Sequence, residues 1–428
     1  MYGWMGKIAD VDLSRNKAVI NDLDEKLAVK FLGGRGLNSK VLYDNIKPGI
    51  DPLSPENIIA VAPGVFSGTV LPMSSRVEVS TLSPYSGILG DGNAGGAFAH
   101  RMKLSGFDQI IIRGRADKPV YILLEDGEVS LHPAEDLWCG STWETTDALR
   151  ERHGKNISVM SIGQAGENLV RVASVIVDKH ASAARGSGAV FGSKNLKAIV
   201  VSGNKKVEIK DENRFRELAK EDREFFKRDK FQREIIAVYG THLGVERWYP
   251  GYLNFLKYLG PDEAPAHLKK EAWKSYEIGR YACYGCPVGC KNIFRIPDGH
   301  RKGETGTALE YEAIAYLGIN AGIQDPIAIM EMENLADGYG MDVIALGNTI
   351  GYIKDLYNRG IITRDMTDGL DLSWENADDQ VELIHRVALR QGPFANLVAE
   401  GLYNVARKLG GRAMDYCYHV KGLSRGPH

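Results

Sequence analysis

The chain has 428 residues, of which 44% are hydrophobic and 9% aromatic, enough to bury the cores of two or three domains. Its 53 lysine and arginine residues are balanced by 55 aspartate and glutamate residues, for a formal net charge of -2. Because no long basic face is expected, nucleic acid is not predicted as a partner, and a small or enclosed ligand is favoured. The sequence has neither a run of about 18 uninterrupted apolar residues nor the apolar core of a signal peptide near its start. We therefore expect a cytoplasmic protein without a membrane span.

The first half of the chain is rich in short β-branched segments separated by glycine. Such segments predict strands, and the Asp126-Gly127 pair between two extended runs predicts a tight hairpin turn. The predicted strands lie in KIADVDL, NIIAVAPGV, RVEVSTL, QIIIRG, VYILLEDGEVSLH, ISVMSIG, VASVIVD and KAIVVSG.

Long segments with helical periodicity follow from about residue 205, starting at DENRFRELAKEDREFFKRDK. One helix is predicted to begin after Asp325 as its N-cap, and the next to begin after Asp342 and to end at Gly360. The sequence therefore predicts an α+β fold. A β-rich N-terminal domain over residues 1–206 precedes a mainly α-helical domain over residues 207–428.

Three of the five cysteines lie close together in ACYGCPVGCKN, as Cys283, Cys286 and Cys290. Structural zinc usually takes two separated pairs of ligands, whereas a short loop with two- and three-residue gaps can bind three corners of a [4Fe–4S] cluster. Three buried cysteines without a metal are the alternative. Cys139 and Cys417 stand alone among apolar neighbours, which is more typical of small buried side chains than of ligands.

Two stretches, 88–114 and 183–201, are dense in glycine. Their backbone amides could hold the oxygens of an anionic cofactor, although neither stretch is a known nucleotide-binding motif. In the alternative interpretation, the glycines serve turns and close packing. The cations expected near these stretches are Arg76, Arg185, Lys194 and Lys197.

Taken together and in this order, the glycine stretches, the cysteine loop and DGYGMD resemble the tungstopterin-containing aldehyde:ferredoxin oxidoreductase family. Further matching segments are GRGLNSKVLYD, SSRVEVSTLSP, SIGQAGEN, GAVFGSKNLKAIVV, LEYEAIAYLGINAGI and YHVKGL. The resemblance implies one tungsten, or occasionally molybdenum, held by two pterins whose phosphates are bridged by magnesium, beside a [4Fe–4S] cluster. It also implies oxidation of aldehydes to carboxylates, with ferredoxin or a similar protein as electron acceptor.

On this resemblance the β-rich N-terminal domain is the pterin-binding domain. The residues placed against the pterin cofactor are Arg76, Asn93, Gly95, Arg185, Asp337, Gly340, Met341 and Asp342. Arg76 would support the pterin phosphates, and Asn93 would offer its backbone carbonyl to the magnesium. The residues from Asp337 to Asp342 match the DxxGL-type motif of the family, with Met341 in place of the usual leucine. Capping of the next helix by Asp342 is compatible with this role.

The same resemblance makes Cys283, Cys286 and Cys290 cluster ligands. Glu312 falls at the position of an acid near the metal, where it would accept a proton as an aldehyde hydrate becomes a carboxylate. Without the resemblance, Glu312 would be an ordinary surface or paired carboxylate.

The family sequences continue beyond the point at which SRGPH follows HVKGL in this chain. The continuation would supply a second pterin motif, the fourth cluster cysteine and an active-site histidine. A separate chain could supply these parts, or the chain could be a truncated and inactive fragment. A third hypothesis is a related tungstopterin reductase of acyl or aromatic thioesters. Aromatic residues that could line a substrate channel or belong to a core are Tyr249, Tyr252 and Phe255.

Overall fold

The structure, a computed structural model, describes residues 1–248, 264–307 and 309–426. In these ranges, none of the helices combines the length and the apolar character that a membrane span needs. Outside them lie the aromatic residues expected near a channel, Tyr249, Tyr252 and Phe255.

Strands dominate the first half of the chain. The strands are β1 Lys7–Asp12, β2 Lys17–Asp22, β3 Ile59–Pro63, β4 Val77–Leu82, β5 Leu89–Ala94, β6 Gln109–Arg113, β7 Val120–Glu125, β8 Glu128–Pro133, β9 Ser158–Ser161, β10 Val175–Val177, β11 Ala181–Ala183, β12 Leu196–Ser202, β13 Glu277–Tyr281, β14 Lys291–Arg295, β15 Thr305–Thr307, β16 His419–Val420 and β17 Leu423–Ser424.

Helices dominate the second half. The α-helices are α1 Glu25–Phe31, α2 Gly34–Asn45, α3 Phe98–Ser105, α4 Thr142–His153, α5 Gln164–Glu167, α6 Ser187–Ser193, α7 Glu212–Arg228, α8 Ala237–Tyr239, α9 Gly244–Trp248, α10 Tyr311–Ala313, α11 Pro326–Tyr339, α12 Val343–Asn358, α13 Ala377–Leu389, α14 Pro393–Val398 and α15 Leu402–Leu409.

Two mixed six-stranded sheets form the first half, with strand orders β2-β1-β6-β3-β4-β5 and β11-β10-β9-β12-β7-β8. Each sheet contains one parallel pair, β1 with β6 and β7 with β12, among antiparallel neighbours. Side chains of both sheets, such as Val61 and Ile199, share one apolar core with those of α3 and α6. A smaller sheet, β13-β14-β15, belongs to the second half.

The helices of the second half enclose a core that also contains residues of the first half, among them Val172 and Ala173. The backbones of the two halves are joined directly, because Ala173 forms an isolated β-bridge with Met341. The junction between the halves is therefore a packed and hydrogen-bonded interface.

The predicted α+β fold is confirmed, and so are its local signals. Asp126 and Gly127 form the β7–β8 turn with φ of 47° and 96°. The Asp325 side chain accepts a hydrogen bond from the N–H of Ile327 at 2.9 Å, as an N-cap of α11 should. Gly360 follows the end of α12 with φ of 69°. Whether the two halves are separate domains divided near residue 206 stays a prediction.

Candidate functional site

A cavity of about 280 Å³ lies between the two halves of the chain. The first half contributes β5 and the segment around β11, and the second half contributes the cysteine loop, α10 and the end of α11. Most residues predicted for the site lie on its walls: Arg76, Asn93, Gly95, Cys283, Cys290, Glu312, Asp337, Met341 and Asp342.

The cysteine loop connects β13 to β14 and begins with a turn in which the N–H of Cys286 donates to the carbonyl of Cys283 at 3.0 Å. Gly285 and Gly289 have φ of 69° and 61°, a region that other residues rarely adopt. Burial raises the pKa of Cys290, and negative charge at Glu310 raises it further. A bound cation would therefore be needed to hold this thiol as a thiolate.

The three thiols are free and half-buried. Across the part of the chain that the structure describes, no three His, Cys, Asp or Glu side chains are grouped so that they could hold a metal ion. Binding of a cluster by Cys283, Cys286 and Cys290 thus rests on their spacing and on the thiol chemistry, and it stays a prediction.

Gly95 marks the point where the glycine-rich stretch meets the cysteine loop. A Cβ atom at Gly95 would lie 2.6 Å from Sγ of Cys283 and 3.2 Å from Nη1 of Arg76. No side chain fits this space unless one of its neighbours moves. Beside it, the carbonyl of Gly96 accepts a hydrogen bond from the N–H of Tyr284 at 3.1 Å. The contact brings the loop of the second half against β5 of the first half.

Arg76 and Asn93 lie on neighbouring strand segments beside Gly95. The Arg76 Nε donates a hydrogen bond to Oδ1 of Asn93, and its Nη2 donates to the Asn93 carbonyl at 3.4 Å. The Asn93 amide in turn donates to Oε1 of Glu78 at 2.7 Å. The exposed guanidinium is thus oriented by Asn93 at the mouth of the cavity, where it can bind an anionic group.

The pterin-type motif spans the last turn of α11 and the turn that follows it, and it is held by the backbone of the first half. Gly340 adopts φ of 74°, and its carbonyl accepts a hydrogen bond from the N–H of Ser174 at 2.9 Å. The N–H of Asp342 donates to the carbonyl of Val172, also at 2.9 Å. These bonds fix the turn between α11 and α12 at the cavity wall.

Asp342 caps α12, as predicted, by accepting hydrogen bonds from the N–H groups of Ile344 and Ala345 at 2.9 and 3.2 Å. Burial raises the pKa of Asp342, although the positive charge of Arg185 opposes this shift. Arg185 therefore lies beside the motif, on the loop between β11 and α6.

The acidic wall of the cavity contains Glu312 and Asp337. Burial, together with the negative charge of the nearby Glu310, raises the pKa of Glu312 to about 7. Burial also raises the pKa of Asp337 to about 7, while the charge of Lys291 opposes the shift. Both carboxyl groups can therefore hold and release a proton near neutral pH.

Several cavity residues escaped the sequence interpretation. They are His180, Ser182, Lys291, Glu310 and Glu333. The spacing gave some signal, because Lys291 directly follows a cysteine and Glu333 precedes Asp337 by four residues, one helical turn. Nothing comparable indicates His180 or Ser182.

The polar atoms of this wall fit a polar cofactor. Within the described ranges, Nδ1 of His180, Oγ of Ser182 and Oε2 of Glu333 are buried and have no hydrogen-bond partner. Each such group costs about 1–3 kcal/mol when it stays unsatisfied. A heterocycle rich in donors and acceptors would satisfy them.

Two predicted cations do not reach the cavity. Lys194 is buried and donates to two backbone carbonyls, and Lys197 is buried in an ion pair with Glu167. They therefore add no positive charge to the described cavity wall, although Lys194 does meet the end of the first glycine stretch by donating to the carbonyl of Gly114. Cys139 and Cys417 are also absent from the described cavity wall. Cys417 packs against the helical core, but Cys139 is exposed, so the expectation that it is a small buried side chain is wrong.

Comparisons with known proteins identify the family. The family model described as "Aldehyde ferredoxin oxidoreductase, N-terminal domain" matches residues 8–203, and the one described as "Aldehyde ferredoxin oxidoreductase, domains 2 & 3" matches residues 217–428. The tungsten-containing aldehyde ferredoxin oxidoreductase of Pyrococcus horikoshii is 38% identical over 98% of this chain and 70% of its own length. The "Aliphatic sulfonate oxidoreductase, WOR-like subunit" of Pyrococcus furiosus is 32% identical, covering 100% of this chain and 72% of its own length.

Among solved structures, the fold matches "Active site complex BamBC of Benzoyl Coenzyme A reductase in complex with 1,5 Dienoyl-CoA" with a TM-score of 0.89. That match has 26% sequence identity and covers 100% of this chain and 66% of the other. The chain thus spans about two thirds of the length of the proteins it matches. The resemblance found in the sequence is confirmed: the chain belongs to the tungsten-containing aldehyde ferredoxin oxidoreductase family and is an oxidoreductase of that type.

Proposed function

We propose that this chain oxidises aldehydes to carboxylates at a tungsten bispterin centre and passes the electrons through a [4Fe–4S] cluster to ferredoxin or a similar acceptor. One observation carries the proposal. The cavity between the two halves brings together the cysteine loop, the pterin-type motif and an acid, Glu312, whose pKa is raised to about 7.

Different residues of the cavity would bind different parts of the cofactors. Arg76 would bind the pterin phosphates, and the carbonyl of Asn93, which accepts a long hydrogen bond from Nη2 of Arg76 at 3.4 Å, would bind magnesium. Asp337 and Asp342 lie at the motif, where their carboxyl groups can bond the heterocycle. The cofactors would supply the redox chemistry, accepting the electrons of the aldehyde at the metal and relaying them through the cluster.

Glu312 would take up a proton from the substrate. Conversion of an aldehyde hydrate to a carboxylic acid releases two electrons and two protons, and a base beside the substrate must accept the first proton. With a pKa of about 7, a large fraction of Glu312 is ionised at neutral pH and can act as that base. The close contact at Gly95 and the hydrogen bonds of the pterin-type motif hold the cysteine loop and the motif at a set distance. This arrangement would support electron transfer between the two cofactors.

Cys283, Cys286 and Cys290 would bind three corners of the cluster, which leaves one corner for another ligand. We propose that this ligand comes from a partner chain, because Cys139 lies beside Glu167 of α5, to which its N–H donates, and Cys417 packs against the helical core. The relative that is named a WOR-like subunit supports a role for companion chains.

A second function, reduction of an acyl or aromatic thioester, is favoured by one observation, the likeness to the benzoyl coenzyme A reductase complex at a TM-score of 0.89. The relatives of higher sequence identity favour the aldehyde. Anaerobic assays of the purified protein with aldehydes and with aromatic thioesters, each with a viologen dye as the redox partner, separate the two functions.

The test of the cofactors is a metal analysis of protein purified anaerobically from its own host. We expect about four irons and four sulfides per chain, with close to one tungsten or molybdenum. The Cys286→Ser variant should lose iron and sulfide, whereas the matched Cys417→Ser variant should keep both. A wild-type protein without tungsten, molybdenum, iron and sulfide would contradict the proposal.

A further inference from the structure

Glu333 is a buried acid of the cavity for which neither the motif nor the proposed proton transfer provides a role. It lies on α11 one turn before Asp337, so the two side chains project from the same face of the helix. Glu333 is only 4% exposed. Glu333 lines the cavity, and its Oε2 atom is buried and has no hydrogen-bond partner among the residues that the structure describes.

The charges around Glu333 are mostly negative. Asp337 comes from its own helix, Glu310 and Glu312 come from the segment at the start of α10, and Lys291 comes from β14. The positive charge of Lys291 opposes them, but its Nζ already donates to the carbonyl of His180 and lies 3.8 Å from Glu310. One shared ammonium group does not balance four carboxylates in a buried wall.

The other helices that pack against α11 bring charged groups that are engaged elsewhere. On α4, Asp147 pairs with Lys179, and Glu144 bonds to Ser141. On α13, Glu382 pairs with Arg386. His385 of α13 forms a hydrogen bond with the hydroxyl of Tyr339 at 2.8 Å.

We propose that Glu333 is a pterin-binding residue that stands in its neutral form and donates its carboxyl O–H to an acceptor nitrogen or oxygen of the heterocycle. The inference rests on the proposed function, because it takes the heterocycle to occupy this cavity. A protonated carboxyl group is both donor and acceptor, whereas a carboxylate only accepts. The neutral Glu333 can therefore donate to a hydrogen-bond acceptor on the edge of the heterocycle. Asp342 cannot do so, because its carboxylate already accepts the backbone N–H groups at the start of α12.

Burial and the neighbouring Asp337 support this protonation state, since both raise the pKa of Glu333 well above its usual value. A bound heterocycle that accepts the O–H would stabilise the neutral form further. The bound heterocycle would then supply the hydrogen-bond partner that the Oε2 atom of Glu333 lacks.

The first test measures protonation without any cofactor. Thermal unfolding of the full chain is followed between pH 4.5 and 8 for wild type, Glu333→Gln and the matched control Glu331→Gln, which changes a half-buried glutamate of the same helix. The folded state holds the proton of Glu333 above the unfolded pKa of about 4.3, so wild type loses stability as the pH rises. The advantage of Glu333→Gln should therefore grow with pH by more than the difference between wild type and Glu331→Gln changes, since the charge of Glu331 acts, within the described residues, only on His385. Parallel curves for wild type and Glu333→Gln would overturn the proposal.

The second test measures the contact with the heterocycle. Pterin per chain is determined for anaerobically purified wild type, Glu333→Gln and Glu333→Met. Glutamine keeps an N–H donor, so its pterin content should stay within about twofold of wild type, whereas methionine should lower the affinity about tenfold, the effect of one lost hydrogen bond. Equal pterin in both variants would overturn the contact. If wild type itself binds no pterin, the proposed function fails, while the pH series still reports whether Glu333 is neutral.

Discussion

Replacement of Gly95 by alanine should uncouple the cysteine loop from the glycine-rich stretch without unfolding the protein. The added Cβ would lie 2.6 Å from Sγ of Cys283, whereas ordinary apolar contacts lie near 4 Å. The sulfur or β5 must therefore move by roughly 1 Å, several times the tolerance of about 0.2 Å for a metal ligand. The cost in stability should be that of overpacking, about 1–3 kcal/mol.

The assay is iron and acid-labile sulfide per chain after anaerobic purification, together with thermal unfolding. We expect Gly95→Ala to lose most of its iron while it unfolds in one cooperative transition only a few degrees below wild type. Gly279→Ala is the matched control. Gly279 lies on β13, next to the cysteine loop, and a Cβ atom there would lie at an ordinary contact distance of 3.5 Å from Ile293 of the neighbouring strand β14. Full iron content in Gly95→Ala would refute the reasoning, because it would mean that Cys283 does not bind the cluster in the position seen here.

Three further outcomes are expected. Because burial raises the pKa of Glu312 to about 7, kcat/KM of the loaded enzyme should rise with pH through about 7, and Glu312→Gln should lower it by about 10²–10⁴ and flatten the pH profile. Lys197→Met leaves the buried Glu167 without its partner and should cost about 3–5 kcal/mol in urea denaturation, with no specific loss of pterin. Asp342→Ala and Asp325→Ala each remove a helix cap and should each cost about 1 kcal/mol in the same assay, but only Asp342→Ala should also reduce pterin content.

Strand β5 is a strand that the sequence does not predict. LGDGNA lies in the glycine-dense stretch 88–114 and has no strand signal, since glycine and aspartate are poor strand formers. In the fold it pairs with β4 along its whole length, from Leu82 with Leu89 to Val77 with Ala94. A Cβ at Gly92 would lie 2.5 Å from the backbone nitrogen of Ala184, so the glycines admit the neighbouring loop. Tertiary packing, which a single sequence does not display, makes this segment a strand.

The candidate site was predictable to the extent that its residues belong to ordered motifs. The cysteine loop and the residues around Asp337 were found in that way, and the structure brings them to one cavity. That Lys194 and Lys197 point away from the cavity could not be predicted, because closeness in sequence does not tell which way a buried side chain points. Glu333 was missed because a carboxylate on an apolar helix is unremarkable until the groups facing it are known.

The backbone interface between the two halves explains why the pterin-type motif is held in one defined position. The Thr142 hydroxyl donates to the carbonyl of Asp337 at 2.7 Å, and a Cβ at Gly163 would lie 2.5 Å from the carbonyl oxygen of Tyr339. The backbone at the end of α11 therefore packs directly against Thr142 and Gly163 of the first half. Asp337 also lines the cavity. Because buried hydrogen bonds and close backbone contacts leave little room for adjustment, the motif at the end of α11 and the segment before β4 that carries Arg76 must move together. The spacing between the proposed anion and heterocycle contacts is thus a property of the interface between the halves, and neither half would preserve it alone.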